Sequence, residues 1–227
     1  MFTVAVIGPD GSGKTAVASR LAEALPGRAK YIYMGASWES SNHLLPTTRL
    51  IDWTMRALRP RPSRNAHGAD DPSDSHGSPG RARRLYRATR SRLSLANLIA
   101  EEWYRQMIAW TYVRRGVTVI FDRHFYFDYY YGHVVGEPER SLGVRVHGLL
   151  LSHVYPKPDL VVYLDAPPEV VFARKGEGTI GSLEQRRKEY LAHSSTAENF
   201  VVVDARRPVE QVTEDVVAAI RTFAESR

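Results

Sequence analysis

The chain has 227 residues, 43% of them apolar and 25% charged, with a formal net charge of +6 and no cysteine. That balance excludes a disordered or fibrous chain, and a chain of this length buries a core without disulfides or a structural metal. Lack of cysteine removes thiolate nucleophiles, thiolate zinc sites and any disulfide framework. No apolar run approaches a membrane span and the first residues lack the features of an export signal, so a single cytoplasmic domain over 1–227 with no membrane partner is expected.

Thr3 to Ile7 is a short β-branched apolar run bounded by Gly8-Pro9, which reads as a buried strand ending in a loop. From Lys14 the apolar positions Val17, Leu21 and Leu25 recur at helical spacing, and Pro26-Gly27 ends the pattern. Tyr31 to Met34 is a second strand. Between 59 and 80 four prolines lie among Ser, Asp, His and Gly with few apolar residues, the composition of a mobile loop, and the flexible insert is placed at 59–84. Residues 59–92 hold nine arginines and three aspartates, which accounts for the whole excess of positive charge. Leu95, Ile99, Trp103, Met107, Trp110 and Arg114 then step along one face of a long helix, stopped by Gly116. Strands follow at Val117 to Phe121, Leu160 to Leu164 and Phe200 to Val203. The C-terminal helix has Pro208 in its first turn and a stripe of Val209, Val212, Val216, Ile220 and Phe223. Continuous apolar strands alternating with amphipathic helices predict an α/β fold with a parallel sheet covered on both faces.

Gly8-Pro9-Asp10-Gly11-Ser12-Gly13-Lys14-Thr15 fits the phosphate-binding pattern G-x-x-x-x-G-K-[ST], after a strand and opening a helix as that pattern requires. In such a loop backbone N–H groups and the helix N-terminus point at anionic oxygens. Lys14 would neutralise the β and γ phosphates of a bound nucleotide and Thr15 would complete a magnesium shell. The loop alone leaves kinase, switch and motor ATPase open. Asp122-Arg123, at the carboxyl end of a strand where ligands gather, offers a carboxylate for the magnesium water shell and a guanidinium for a phosphoryl group; a surface ion pair is the alternative.

These motifs resemble the thymidylate kinase group of P-loop nucleoside monophosphate kinases over nearly the whole chain. The resemblance rests on the phosphate loop with a carboxylate inside it, on Asp122-Arg123-His124, on Pro158-Asp159-Leu160 through Tyr163-Leu164-Asp165, and on Val203-Asp204-Ala205. It implies the three-layer P-loop fold, a five-stranded parallel sheet flanked by helices with a short lid at 174–190, and a kinase that uses ATP and Mg²⁺. Gly8, Asp10, Gly11, Ser12, Gly13, Lys14, Thr15, Ala16 and Arg206 would bind the nucleotide, with Thr15 and Asp122 on the metal. Asp10 would meet the acceptor's sugar hydroxyl and Arg123 its phosphate. Arg174 begins the lid and joins Lys14, Asp122 and Arg123 as a catalytic candidate, with Lys175, Arg186 and Arg187 as neighbouring cations; a solvated helix face is their alternative. A homodimer through the long helix is also implied.

The acceptor side departs from that group. Its members carry an arginine about 21 residues before the Asp of Asp-Arg, where this chain has Glu101; Arg105 lies one helical turn on. Glu101 and Glu102 with Trp103 to Arg105 form either a polar acceptor pocket or a solvent-facing turn. If Arg105 stands beside Arg123, two guanidinium groups without partners would favour an acceptor already bearing phosphate. Residues 125–131 form an aromatic run in place of the group's serine, of which at least half should be core while Asp128 or a tyrosine hydroxyl bonds the acceptor. His124 either touches the acceptor or is structural. Two rival readings remain: a kinase for a modified nucleoside, sugar or other hydroxyl, and a P-loop ATPase switch binding nucleic acid or a partner through 59–92. Only Tyr86 in that insert could stack on a base, which argues against the switch.

Overall fold

The computed structural model describes residues 1–25, 29–35, 81–130, 134 and 142–227, with the backbone alone for 81–94. The expected loop at 59–80, the Pro26-Gly27 stop and Tyr131 lie outside the described residues. In chain order the elements are β1 (Thr3–Ile7), α1 (Lys14–Ala24), β2 (Ala29–Tyr33), α2 (Arg81–Arg114), β3 (Thr118–Asp122), α3 (Phe125–Tyr130) and α4 (Leu142–His153). There follow β4 (Leu160–Asp165), α5 (Pro168–Lys175), α6 (Ile180–Ala192), a 3-10 turn at His193–Ser195, β5 (Phe200–Asp204) and α7 (Val209–Glu225).

All five strands pair in parallel in the order β2-β3-β1-β4-β5. Alternate side chains build one core on each face. Val4, Val6, Ile120, Val162 and Leu164 pack with Val17 and Leu21 of α1 and with Val212, Val216 and Ile220 of α7. On the opposite face Ala5, Ile7, Val119, Phe121, Val161 and Tyr163 meet Ala109 of α2, the rings of α3 and Tyr190 of α6. Asp159 ties the starts of two central strands together, its Oδ2 accepting from both the backbone N–H and the hydroxyl of Thr3 at 2.8 Å.

Three strands run one residue further than their apolar runs predict, so that β3, β4 and β5 each end on a carboxylate: Asp122, Asp165 and Asp204. Helix α2 already begins at Arg81, so the last four residues of the expected insert, 81–84, are helical in backbone. Gly116 closes α2 with φ +76°, a conformation glycine adopts without a Cβ clash. The predicted apolar stripe of α2 is not its buried face. Met107 is 52% exposed, whereas Glu101, Glu102, Arg105, Gln106 and Ala109 are buried, because that face turns toward the carboxyl ends of the strands.

Candidate active site

The phosphate loop leaves β1 by a close approach to β4. A Cβ on Gly8, whose φ is +149°, would stand 2.8 Å from the Leu164 carbonyl oxygen and from Ser12 Oγ, so only glycine fits. Gly13 caps α1 in the left-handed region and Ser12 N–H closes the turn onto the Pro9 carbonyl at 3.1 Å. Lys14 is buried and folds back, Nζ donating to the Pro9 carbonyl at 2.6 Å with Asp10 Oδ1 at 3.4 Å. Burial, reinforced by the charge of Arg123, lowers its pKa to about 8 against the opposing pull of Asp10.

The end of β3 adjoins this loop. Arg123 holds φ +65°, an uncommon value for a side-chain-bearing residue, and its N–H bonds the Val6 carbonyl of β1 at 3.0 Å, so the strained backbone is pinned from the neighbouring strand. Its guanidinium pairs with Asp10. Asp10 thus has Arg123, Lys14 and, at 4.0 Å, Lys175 around one carboxylate. Burial works to raise its pKa, but the Lys14 and Arg123 charges outweigh it and hold the group at about 2. Asp122 is fully buried. Tyr31 donates to its Oδ2 at 2.8 Å, and Oδ1 has no hydrogen-bond partner. A buried carboxylate oxygen left open beside a phosphate loop fits a divalent cation's water shell, and Thr15, exposed at the start of α1, would supply a hydroxyl to the same ion. Among the described residues no three acidic or histidine side chains come together as a metal site.

On one side of the loop a cavity of about 290 Å³ is lined by Gly11 to Gly13, Ala16, Arg174, Ala205 and the segment from Arg207 to Val209. Its size and its position against the loop suit a planar base. Arg174 forms one wall, donating to the carbonyls of Ala205 at 2.9 Å and Arg206 at 3.2 Å. Arg206 is doubly bonded to Asp204 and is not among the residues lining the cavity; Arg207 is, with its guanidinium paired to Asp215 of α7. In the lid, Arg187 forks onto Asp165 with bonds of 2.7 and 2.8 Å and Lys175 pairs with Glu177 at 2.9 Å; Arg186 is exposed.

On the other side Arg105 donates to the Gly35 carbonyl at 2.9 Å, and a Cβ on Gly35 would lie 2.4 Å from Arg123 Cδ. Arg105 and Arg123 therefore flank Gly35. Each already has a protein partner, Gly35 and Asp10, so the expectation of two guanidinium groups without partners fails. Glu101 and Glu102 are buried, not solvent-facing. Asp128 is half-buried and accepts from Tyr190 of α6 at 3.2 Å; burial pushes its carboxyl upward against the pull of Arg123 and Lys14. Phe125, Tyr126 and Phe127 are core, as expected of half the run. His124 is core as well, its Nδ1 accepting from Tyr126 N–H at 3.3 Å and its pKa driven down to about 3 by burial.

Tyr31, Gly35 and Arg207 carry no motif, and Asp165, which ends the Tyr163-Leu164-Asp165 signature, carries no role in the sequence reading; that reading passed over their places here. Only their positions at strand ends, Tyr31 excepted, hinted at a role.

Parallel strands in this order, with the phosphate loop between β1 and α1, define a P-loop nucleotide-binding α/β protein. A family profile described as thymidylate kinase matches residues 80–216, and the chain belongs to the thymidylate kinase family. It is 30% identical to the "Probable thymidylate kinase" of Archaeoglobus fulgidus over 49% of this chain and 57% of that one, and 32% identical to the "Thymidylate kinase" of Alteromonas mediterranea over 48% and 52%. The chain thus spans about half the length of these two relatives. A "Probable thymidylate kinase" of Pyrobaculum calidifontis is 28% identical over 96% of this chain and 94% of its own.

Proposed function

We propose that the chain is an ATP-dependent kinase that transfers the γ-phosphoryl group of ATP to a nucleoside monophosphate. The observation that carries this reading is the junction of β1 and β3, where Lys14, Asp10, Arg123 and Asp122 meet between a base-sized cavity and the Arg105 side. In the reaction an acceptor phosphate oxygen attacks the γ-phosphorus, the bond to the β,γ-bridging oxygen breaks, and ADP leaves. Catalysis is positioning and charge neutralisation. Lys14 exchanges the Pro9 carbonyl for phosphate oxygens, the loop N–H groups hold the β-phosphate, and Arg123 turns from Asp10 to the acceptor phosphate. Asp10, relieved of that guanidinium, is placed for the sugar hydroxyl. Arg174 and Arg207 border the base, and Arg186 is a lid cation with no ion pair among the described residues. Magnesium held through Thr15 and Asp122 would offset charge on the transferring group.

The same reading places the protein in the cytoplasm with a small-molecule acceptor as its partner, and a homodimer through α2 belongs to it. No helix among the described residues is long and apolar enough to cross a membrane. The test is ADP release from MgATP against a panel of nucleoside monophosphates, nucleosides and sugars, with Lys14→Ala as the blank. Stimulation by a monophosphate is expected; stimulation by a sugar or nucleoside alone would sink the assignment.

A further inference from the structure

Helix α2 turns four consecutive-turn polar side chains away from water: Glu101 is 0% exposed, Glu102 2%, Arg105 3% and Gln106 3%. Interiors do not ordinarily hold polar atoms without partners, and each exception needs a reason. Here several fall together. Glu102 Oε2 is satisfied, accepting from the Tyr155 hydroxyl at 2.6 Å with His147 Nε2 at 2.9 Å. Glu102 Oε1 has no partner, and neither has Gln106 Oε1 one turn further along the same face. Between them Arg105 spends Nη1 on Gly35 and leaves Nε without a hydrogen bond.

The patch adjoins the acceptor side of the site. Gly35 touches Arg105 through its carbonyl and Arg123 through its Cα face, and His147, which holds Glu102, packs edge-on against Tyr129 at 5.2 Å, the residue after Asp128. A ligand anchored on Arg123 by its phosphate would have this face of α2 as its neighbour. What waits there is two hydrogen-bond acceptors one turn apart, one of them a carboxylate oxygen.

We propose that Glu102 and Gln106 form a recognition subsite for an exocyclic amino group, so that the acceptor is a monophosphate whose base carries an amine, of the cytosine or adenine kind. The inference rests on the kinase reading above and deepens it. An amino group brings two N–H donors on one nitrogen and satisfies both oxygens. A thymine or uracil edge brings a single N–H between two carbonyls, so one carbonyl must face the Glu102 carboxylate, acceptor against acceptor. A site built to bond an N–H rejects an analogue lacking it because its own buried groups stay unpaired.

The test uses the full chain with MgATP and compares kcat/KM for cytidylate, deoxycytidylate and adenylate with that for thymidylate and uridylate. Amine-bearing acceptors should lead by about 100-fold or more. Equal or better use of thymidylate or uridylate overturns the subsite and leaves the kinase reading standing. No stimulation by any monophosphate overturns the kinase reading and takes the subsite with it. In Glu102→Gln the preference should shrink by about tenfold through the acceptor KM, because the new amide can donate to a carbonyl; an unchanged preference in a variant that still binds MgATP overturns the role of Glu102. Glu102 also holds His147 and Tyr155, so Gln106→Leu is the second variant, with the same shrinkage expected and the same result against it. The wild-type comparison decides the matter even where neither variant folds.

Discussion

The two halves of the site are built from different material. The donor half is mostly backbone: the loop from Gly8 to Gly13, the start of α1, and the carbonyls of Ala205 and Arg206 that fix Arg174. The acceptor half is side chains on α2 and α3, with Arg105 against Glu101, Glu102 against His147 and Asp128 against Tyr190. Backbone recognition constrains few residue identities beyond glycine and lysine, so it recurs as a motif. Side-chain recognition is rewritten whenever the ligand changes. The donor half accordingly announces the chemistry, and the acceptor half holds the information about what is phosphorylated.

The sharpest way to break that division is at Lys14, the side chain that the proposed mechanism sets against the transferring phosphates. Lys14→Ala should lower kcat by about 10³-fold, the scale of removing a preorganised charge from a transferring group, with far-UV circular dichroism and thermal midpoint retained. Retained turnover would mean that the loop N–H groups alone suffice. The same lysine sets a pH limit. Its pKa is lowered to about 8, so the cation is present below that value and lost above it, and kcat/KM for MgATP should fall about tenfold for each pH unit above 8. Asp10 opposes the lowering, so Asp10→Asn should move that limb to lower pH.

Arg105→Lys probes the acceptor half with the charge kept and the guanidinium fork removed. It should raise the acceptor KM by about tenfold while the MgATP KM stays within twofold, read from initial rates with each substrate varied in turn. Equal shifts in both constants would show that the halves are not separable. Between them stands the lid, anchored by Arg187 on the Asp165 carboxylate at the end of β4. Asp165→Asn weakens that fork and should lower kcat by about tenfold with MgATP affinity unchanged, because α6 carries both Arg186 and the Tyr190 that bonds Asp128.

This contrast also explains what could be read from residues alone. The run Thr3–Ile7, the G-x-x-x-x-G-K-T loop and Asp122-Arg123 predicted the central strands and the phosphate site, because a β-branched run beside glycines has few other uses. The stripe of α7 was equally legible, and Val212, Val216 and Ile220 are buried as its period requires. Helix α2 misled for a physical reason. Its apolar period is real, but a substrate-facing surface can bury Glu101, Glu102, Arg105 and Gln106 and leave Met107 in water, which no hydrophobic pattern foretells. Asp165 looked like an ordinary strand terminus, since its partner Arg187 lies 22 residues away on another element. Helix α4 went unpredicted because Leu142, Val146 and Leu149 are exposed while His147 and Gly148 are buried, the reverse of an amphipathic pattern.

The smallest expected effect tests the donor half at its margin. Adjacent arginines, 206 and 207, follow β5, and only geometry tells them apart. Arg206 is spent on Asp204 through three contacts of 2.7 to 3.1 Å, and what it contributes toward the cavity is a carbonyl that receives Arg174. Alanine keeps that carbonyl. Arg206→Ala should therefore change the MgATP KM by less than about twofold, within the range of a surface substitution that disturbs no buried partner. Arg207 does border the cavity, with its guanidinium paired to Asp215 of α7, and Arg207→Ala should raise the same constant by more than Arg206→Ala does. If the order is reversed, Arg206 leaves Asp204 when nucleotide binds, and recognition in this half is then less a matter of backbone than the loop makes it look.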